Sequence, residues 1–137
     1  YKLIEEEGVS VFIVVTAGVG NAVDASRSRE HIYEPQPGTI NTWVFVNGTL
    51  TDEAFIQSIM TATEAKVKVM QDQDVKDAVT GSSATGTSTD SILIAATQRG
   101  KHLPYAGTIT TLGKLISQGV YTCTTEALQK YRARVSV

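Results

Sequence analysis

Three apolar runs punctuate the chain: Val9–Val15, Thr42–Val46 and Ser91–Ala96. The first is β-branched and apolar at nearly every position, the pattern of a central strand buried on both faces. The second closes at Asn47-Gly48, a turn signal, and the third is the last main strand. A different period occupies Thr51 to about Gln71, where Phe55, Ile56, Ile59, Met60, Thr63, Val67 and Met70 recur at spacings of three and four. Thr51 offers an N-cap hydroxyl, and Asp52 and Glu53 complement the helix dipole. A second helical stripe (Leu112, Leu115, Ile116, Val120, Cys123, Ala127, Leu128) predicts a helix over Thr111–Tyr131. Between them Asp72–Asp90 is polar and rich in Gly, Ser and Thr, with a short strand near Val75–Val79; a loop of that length in a small domain is more often functional than idle.

The order strand, loop, strand, helix, strand, helix predicts an α/β fold: one domain, a mixed sheet with a strand–helix–strand crossover, and two main helices packed on it. The crossover from Thr42 to Ala96 makes its two strands parallel, so Asn41 and Asp90 fall on one sheet edge. If the first strand runs antiparallel to them, Thr16–Asn21 reaches that edge too. Three segments rich in small polar residues then converge: Gly18 and Asn21 from the first, Thr39 and Asn41 from the second, and Thr85, Gly86, Thr87, Thr89 and Asp90 from the third. Such residues let backbone approach a ligand closely and present hydroxyls on a rigid scaffold.

The apolar stripe of the first helix covers an arc of roughly 140° at 100° per residue. Lys66 falls inside this arc and Glu64 at its margin. Charges there must be paired, reach solvent along their stems, or line a pocket. In the last case Glu64 is a candidate general base and Lys66 a candidate for polarising a carbonyl. Position alone does not choose between these readings.

Composition narrows the rest. The chain has 137 residues, 42% of them hydrophobic and 19% charged, with a formal net charge of −2. That balance carries no footprint for nucleic acid. The small basic cluster at Lys130, Arg132 and Arg134 suits a helix C-terminus. No stretch approaches a membrane span and no secretory signal is present, so the expected setting is cytoplasmic. Cys123, alone on an apolar face, reads as a structural thiol. Gly18-Val19-Gly20 lacks the third glycine of a dinucleotide fingerprint, no phosphate-binding loop or Gly-x-Ser-x-Gly elbow occurs, and His31 and His102 are isolated with no metal-ligand spacing. The remaining nucleophiles are hydroxyls, with Thr39, Thr85, Thr87 and Thr89 best placed; β-propensity and turn chemistry also account for threonines.

The ordered set TAGVGNA (Thr16–Ala22), PGTIN (Pro37–Asn41), ATEAK (Ala62–Lys66), ATGTSTD (Ala84–Asp90) and PYAGT (Pro104–Thr108), followed by Leu112-Gly113, resembles the adenosylcobinamide amidohydrolase (CbiZ) family from about Val14 to Tyr121. Members of that family carry more sequence before the first motif than the fifteen residues here, so the expectation is one such domain over residues 1–137 with part of it absent on the N-terminal side. The resemblance implies hydrolysis of the amide joining a corrin propionate to the aminopropanol arm of adenosylcobinamide. The products are adenosylcobyric acid and 1-aminopropan-2-ol, formed in a corrinoid salvage route. It implies a small-molecule corrinoid substrate that brings its own cobalt, with no protein-bound cofactor, and is compatible with a homo-oligomer. Glu64 or Asp90 would be the base, backbone N–H groups near Thr39 and Thr85–Thr87 the oxyanion site, and Asn21, Asn41 and Tyr105 partners for peripheral amides. A weaker similarity in pattern, from Thr39 through the helix to Asp90-Ser91-Ile92, is to ornithine acetyltransferases and DmpA-type aminopeptidases, on whose analogy Thr39 is the nucleophile. A non-catalytic corrinoid-binding domain is the rival from another class.

Overall fold

Strand pairing begins earlier than the apolar runs suggest. In the computed structural model, which describes residues 1–136, Lys2–Glu6 (β1) and Val9–Gly18 (β2) form a hairpin. Glu7 and Gly8, with φ of 50° and 77°, make its two-residue turn. Positive φ at both positions matches the twist of the strands they join. Ala22–Val23 (β3) and a 3-10 turn at Ala25–Glu30 lead to Thr39–Asn47 (β4) and Thr49–Leu50 (β5). Asp52–Asp72 (α1), Gly86–Thr87 (β6), Ser91–Ala96 (β7), His102–Leu103 (β8) and Thr111–Val135 (α2) follow. The main sheet has the order β1-β2-β4-β7, with β2 antiparallel to β4 and β4 parallel to β7. This is the mixed α/β architecture with a strand–helix–strand crossover and two main helices. Near Val75–Val79 the structure has a single Lys76–Ser83 bridge in place of the expected strand.

Both helices pack on one face of the sheet. Val9, Val11, Ile13 and Val15 of β2 and Ile40, Thr42, Val44 and Val46 of β4 point at them and are buried. Burying each of the larger of these contributes roughly 1.5–3 kcal/mol. The alternate residues face outward, where Phe12 and Phe45 stack with centroids 6.2 Å apart. The expectation that Val9–Val15 is buried on both faces is therefore corrected: with helices on one side only, burial alternates with the pleat.

The helices differ in how they meet the sheet. α2 uses the expected stripe, with Leu112, Leu115, Ile116, Val120, Cys123 and Leu128 buried. Gly119 lets it press onto Ile13, because a Cβ at Gly119 would collide with the Ile13 Cδ1 atom. Burial pushes the Cys123 thiol pKa up, as befits a structural thiol. α1, capped by Thr51 as expected, buries Ala54, Ser58, Thr61, Ala62, Ala65, Val69 and Met70. Ile56, Ile59 and Met60 are exposed. The buried face is thus turned roughly 130° from the one expected, at 100° per residue. Small residues permit close approach of α1 to its neighbours, and Ser58 and Thr61 satisfy their hydroxyls on the carbonyls of Ala54 and Ala106.

Candidate active site

Strand direction decides what meets what. Because β2 is antiparallel to β4, its end at Gly18 pairs with Thr39, and the parallel β7 starts opposite Asn41 at Ser91. The β3–β6 pair, Ala22 opposite Thr87, draws the 86–90 turn alongside residues 21–23. All three small-polar segments therefore converge on one edge of the sheet.

Asp90 organises that edge. Its Oδ1 accepts from Ile40 N at 3.2 Å, from Thr87 N at 3.1 Å and from the Thr87 hydroxyl. Its Oδ2 accepts from Lys66 Nζ at 2.8 Å. The Lys66 and Asp90 side chains are only 15% and 21% exposed, so this ion pair is shielded far more than a surface pair. Gly86 makes room beside it: a Cβ there would fall onto Asp90 Oδ2 and 2.6 Å from Lys66 Nζ, so the pair would have to shift. The pair opens onto a cavity of about 240 Å³ between α1 and the β4–β7 edge, lined also by Ile40, Thr42, Thr63 and Ile92.

Asn21 and Gly38 lock the neighbouring loop. Asn21 is buried, and its Nδ2 donates to Gly38 O and Ser88 Oγ, each at 2.9 Å. Its Oδ1 has no hydrogen-bond partner among the described residues. Gly38 has φ of 139°, and a Cβ would drive into that same oxygen. The Thr39 hydroxyl donates to Thr89 O at 2.8 Å, and the Thr89 hydroxyl to Gly38 O at 2.6 Å. Lys66, Asp90, Gly86, Thr87, Asn21 and Thr39 thus form one connected cluster, with Gly18 at its side through the Gly18–Thr39 pair.

Other expected site residues stand elsewhere. Glu64 is exposed and outside the cavity lining; the turn of the α1 face that leaves Lys66 at the rim carries Glu64 to solvent. Its placement at the margin of the buried arc is corrected accordingly. Tyr105 is exposed in a separate cavity with Leu103, Pro104 and Thr110, near the α1 N-terminus where Thr51 donates to Pro104 O. Asn41 lies on the outer sheet face, donating to Thr16 Oγ1 and accepting from Ser91 Oγ. The Thr85 hydroxyl is held between Val23 O and Ala25 N.

A second polar centre lies in the 72–90 loop, where His31, isolated along the sequence, meets Asp77. Asp77 is fully buried and accepts from the backbone N–H groups of Asp24 (2.9 Å), Val79 (2.8 Å) and Thr80 (3.3 Å), and its Oδ2 lies 2.7 Å from His31 Nε2. Burial pushes the Asp77 carboxyl up, yet these donors outweigh it and hold the group well below the usual carboxylate range. Asp24 is lowered too, by hydrogen bonds from Ser26 and Ser82. No spacing rule connects residues 31 and 77; only the run of turn-forming residues around Asp77 hinted at an ordered loop. Among the described residues, no group of three or more His, Cys, Asp or Glu could hold a metal ion, and no helix is long and apolar enough to cross a membrane.

The family model described as adenosylcobinamide amidohydrolase matches residues 2–136. The chain belongs to that family. It is 29% identical over 128 residues to an adenosylcobinamide amidohydrolase of Methanosarcina mazei, covering 87% of this chain and 56% of that protein. It is 35% identical over 94 residues to an uncharacterized protein of Methanocaldococcus jannaschii, covering 68% of this chain and 36% of that protein. The chain thus spans about half the length, or less, of these relatives. No solved structure matches it. In this chain the Lys66–Asp90 cluster is built from four of the ordered motifs, TAGVGNA, PGTIN, ATEAK and ATGTSTD.

Proposed function

We propose that this domain hydrolyses the amide between the corrin propionate and the aminopropanol arm of adenosylcobinamide, giving adenosylcobyric acid and 1-aminopropan-2-ol in cytoplasmic corrinoid salvage. The observation that carries the reading is the shielded Lys66–Asp90 pair at the mouth of the 240 Å³ cavity. That volume suits a short amide arm, leaving the macrocycle outside. Amide hydrolysis needs positive charge or N–H donors where the carbonyl oxygen becomes an oxyanion. Lys66 supplies the ammonium, and Asp90 aims it while fixing the 87–90 turn. Gly18, Asn21, Gly86, Thr87 and Thr39 shape the edge that receives the arm. Half-buried Asn41 and exposed Tyr105 are left for the peripheral amides of the ring. The cobalt belongs to the substrate.

A binding-only reading has one observation in its favour. Both Asp90 oxygens are occupied and the Thr39 hydroxyl donates to a carbonyl, so this cavity by itself holds no unengaged carboxylate to serve as base. Incubation with adenosylcobinamide followed by chromatography separates the readings. Adenosylcobyric acid and 1-aminopropan-2-ol in equal amounts support hydrolysis; a spectral titration showing saturable binding with no product supports a binding domain. Thr39→Ala then decides the nucleophile. Retained turnover leaves water as the attacking group, whereas lost turnover with intact binding moves the attack to the Thr39 hydroxyl.

A further inference from the structure

The polar side chains around the Lys66–Asp90 cavity are engaged, with one exception. Lys66 and Asp90 hold each other, the Thr63 hydroxyl donates to Ile59 O at 2.7 Å, and the Ser91 hydroxyl donates to Asn41 Oδ1 at 2.6 Å. The exception is Thr42, which lines the same cavity and is 6% exposed. Its hydroxyl makes no hydrogen bond among the described residues. The side-chain oxygens there that are both unpaired and sealed from solvent are Asn21 Oδ1 and Thr124 Oγ1. Thr42 Oγ1 is unpaired without being sealed, and the cavity is where it opens.

The position argues against an incidental hydroxyl. Thr42 stands in the row of β4 residues that faces the helices, between Ile40 and Val44, with Val46 beyond. A valine has the same outline and a similar preference for strands, and it would bury there with no polar atom to satisfy. An unpaired hydroxyl in such a place costs about 1–3 kcal/mol unless something that enters the cavity meets it. Location says which group that is. Ile40 N donates to Asp90, and Thr42 is two residues, about 7 Å, further along β4. Thr42 is buried where Lys66 and Asp90 are only partly so. A short arm entering past Lys66 therefore presents to Thr42 whatever lies just beyond its amide nitrogen.

We propose that Thr42 is the specificity-determining residue of this cavity: its hydroxyl pairs with a hydroxyl on the second carbon beyond the amide nitrogen, as in the aminopropanol arm. This rests on the amidohydrolase reading above and names what the site selects, a 2-hydroxyalkyl amide over a plain alkyl amide. The bond joins two neutral hydroxyls, each able to donate and to accept. Ile40, Ala62 and Ile92 supply apolar wall for the carbons of the arm. An amide without the hydroxyl leaves Thr42 unpaired in a cavity from which the arm has displaced water. Sites built to bond a substrate hydroxyl discriminate strongly against such analogues.

Thr42→Val keeps the outline and removes the hydroxyl. It is tested with two substrates, adenosylcobinamide and the propylamide of adenosylcobyric acid, which has the same carbon chain without the hydroxyl. Wild type is expected to favour adenosylcobinamide roughly 10–100-fold in kcat/KM, and Thr42→Val to bring that preference within about threefold, chiefly by losing rate on adenosylcobinamide. The melting temperature of Thr42→Val is expected to match or exceed that of wild type, since no hydrogen bond within the protein is lost. An unchanged preference in Thr42→Val overturns the proposal, and so does a wild type that cleaves both amides equally well. A marked fall in melting temperature also overturns it, because the hydroxyl would then have a partner within the protein. A wild type that cleaves neither amide fails the amidohydrolase reading and takes this role with it; an active wild type whose preference survives in Thr42→Val fails this inference alone.

Discussion

Asp77 and Asp90 sit in the same polar loop, and each carboxylate gathers four hydrogen bonds, yet they do different work. Three of the four donors to Asp77 are backbone N–H groups, and its side chain is wholly buried. Asp90 takes two from backbone, one from a threonine hydroxyl and one from a lysine ammonium, and it is one-fifth exposed at a cavity mouth. The first arrangement ties loops together and orients a histidine. The second holds a cation where a ligand can meet it. Donor identity, more than donor number, separates a carboxylate that builds from one that aims.

The sharpest way to break this contrast is Asp77→Ala. It leaves three backbone N–H groups without their acceptor, and the expected loss is about 3 kcal/mol or more of unfolding free energy, measured by chemical denaturation. Asp90→Asn, which keeps an acceptor for its backbone donors, is expected to cost about 1–2 kcal/mol. Equal losses would erase the distinction.

Gly86→Ala acts on the other side of the comparison. Its Cβ would push Lys66 and Asp90 apart, and turnover is expected to fall roughly 10–100-fold with binding much less affected, since small misplacements at a reacting centre are costly.

Acid gives a smaller and graded effect. The Asp77 carboxyl is depressed in the folded state, so the unfolded chain binds more protons at low pH. The stability it contributes is complete above about pH 4, the unfolded carboxylate value, and drains away as pH falls toward the native one. Denaturation midpoints followed from pH 6 to pH 3 are expected to fall more steeply for wild type than for Asp77→Ala. Parallel profiles would mean that Asp77 is not the group responsible. The smallest effect belongs to Glu64→Gln: turnover within about twofold of wild type, as for other exposed sites away from the cavity.

The contrast between α1 and α2 explains what the sequence made legible. Large apolar residues on α2 mark its buried face, so periodicity located it. On α1 the buried face is Ala, Ser and Thr until Val69 and Met70 in its last turn, while Ile56, Ile59 and Met60 are exposed, so side-chain size points to the wrong side over most of the helix. That error promoted Glu64 but left Lys66 in place, because Lys66 lies near the edge of both arcs. The convergence of the three small-polar segments was readable from the parallel crossover once β2 ran antiparallel. The β1–β2 hairpin was signalled only by Glu7-Gly8, within a glutamate run that does not look like strand. The His31–Asp77 contact joins two loops across a long stretch of chain, and no local pattern encodes such a meeting.

The proposed function puts the aminopropanol amide of a corrinoid in the Lys66–Asp90 cavity. The most direct measurement is release of 1-aminopropan-2-ol from adenosylcobinamide by wild type and Lys66→Met, with binding of the corrinoid followed separately by its absorbance. Wild type is expected to release product, and Lys66→Met to bind still but turn over roughly 10²–10³-fold more slowly. Equal turnover by the two proteins would contradict that placement.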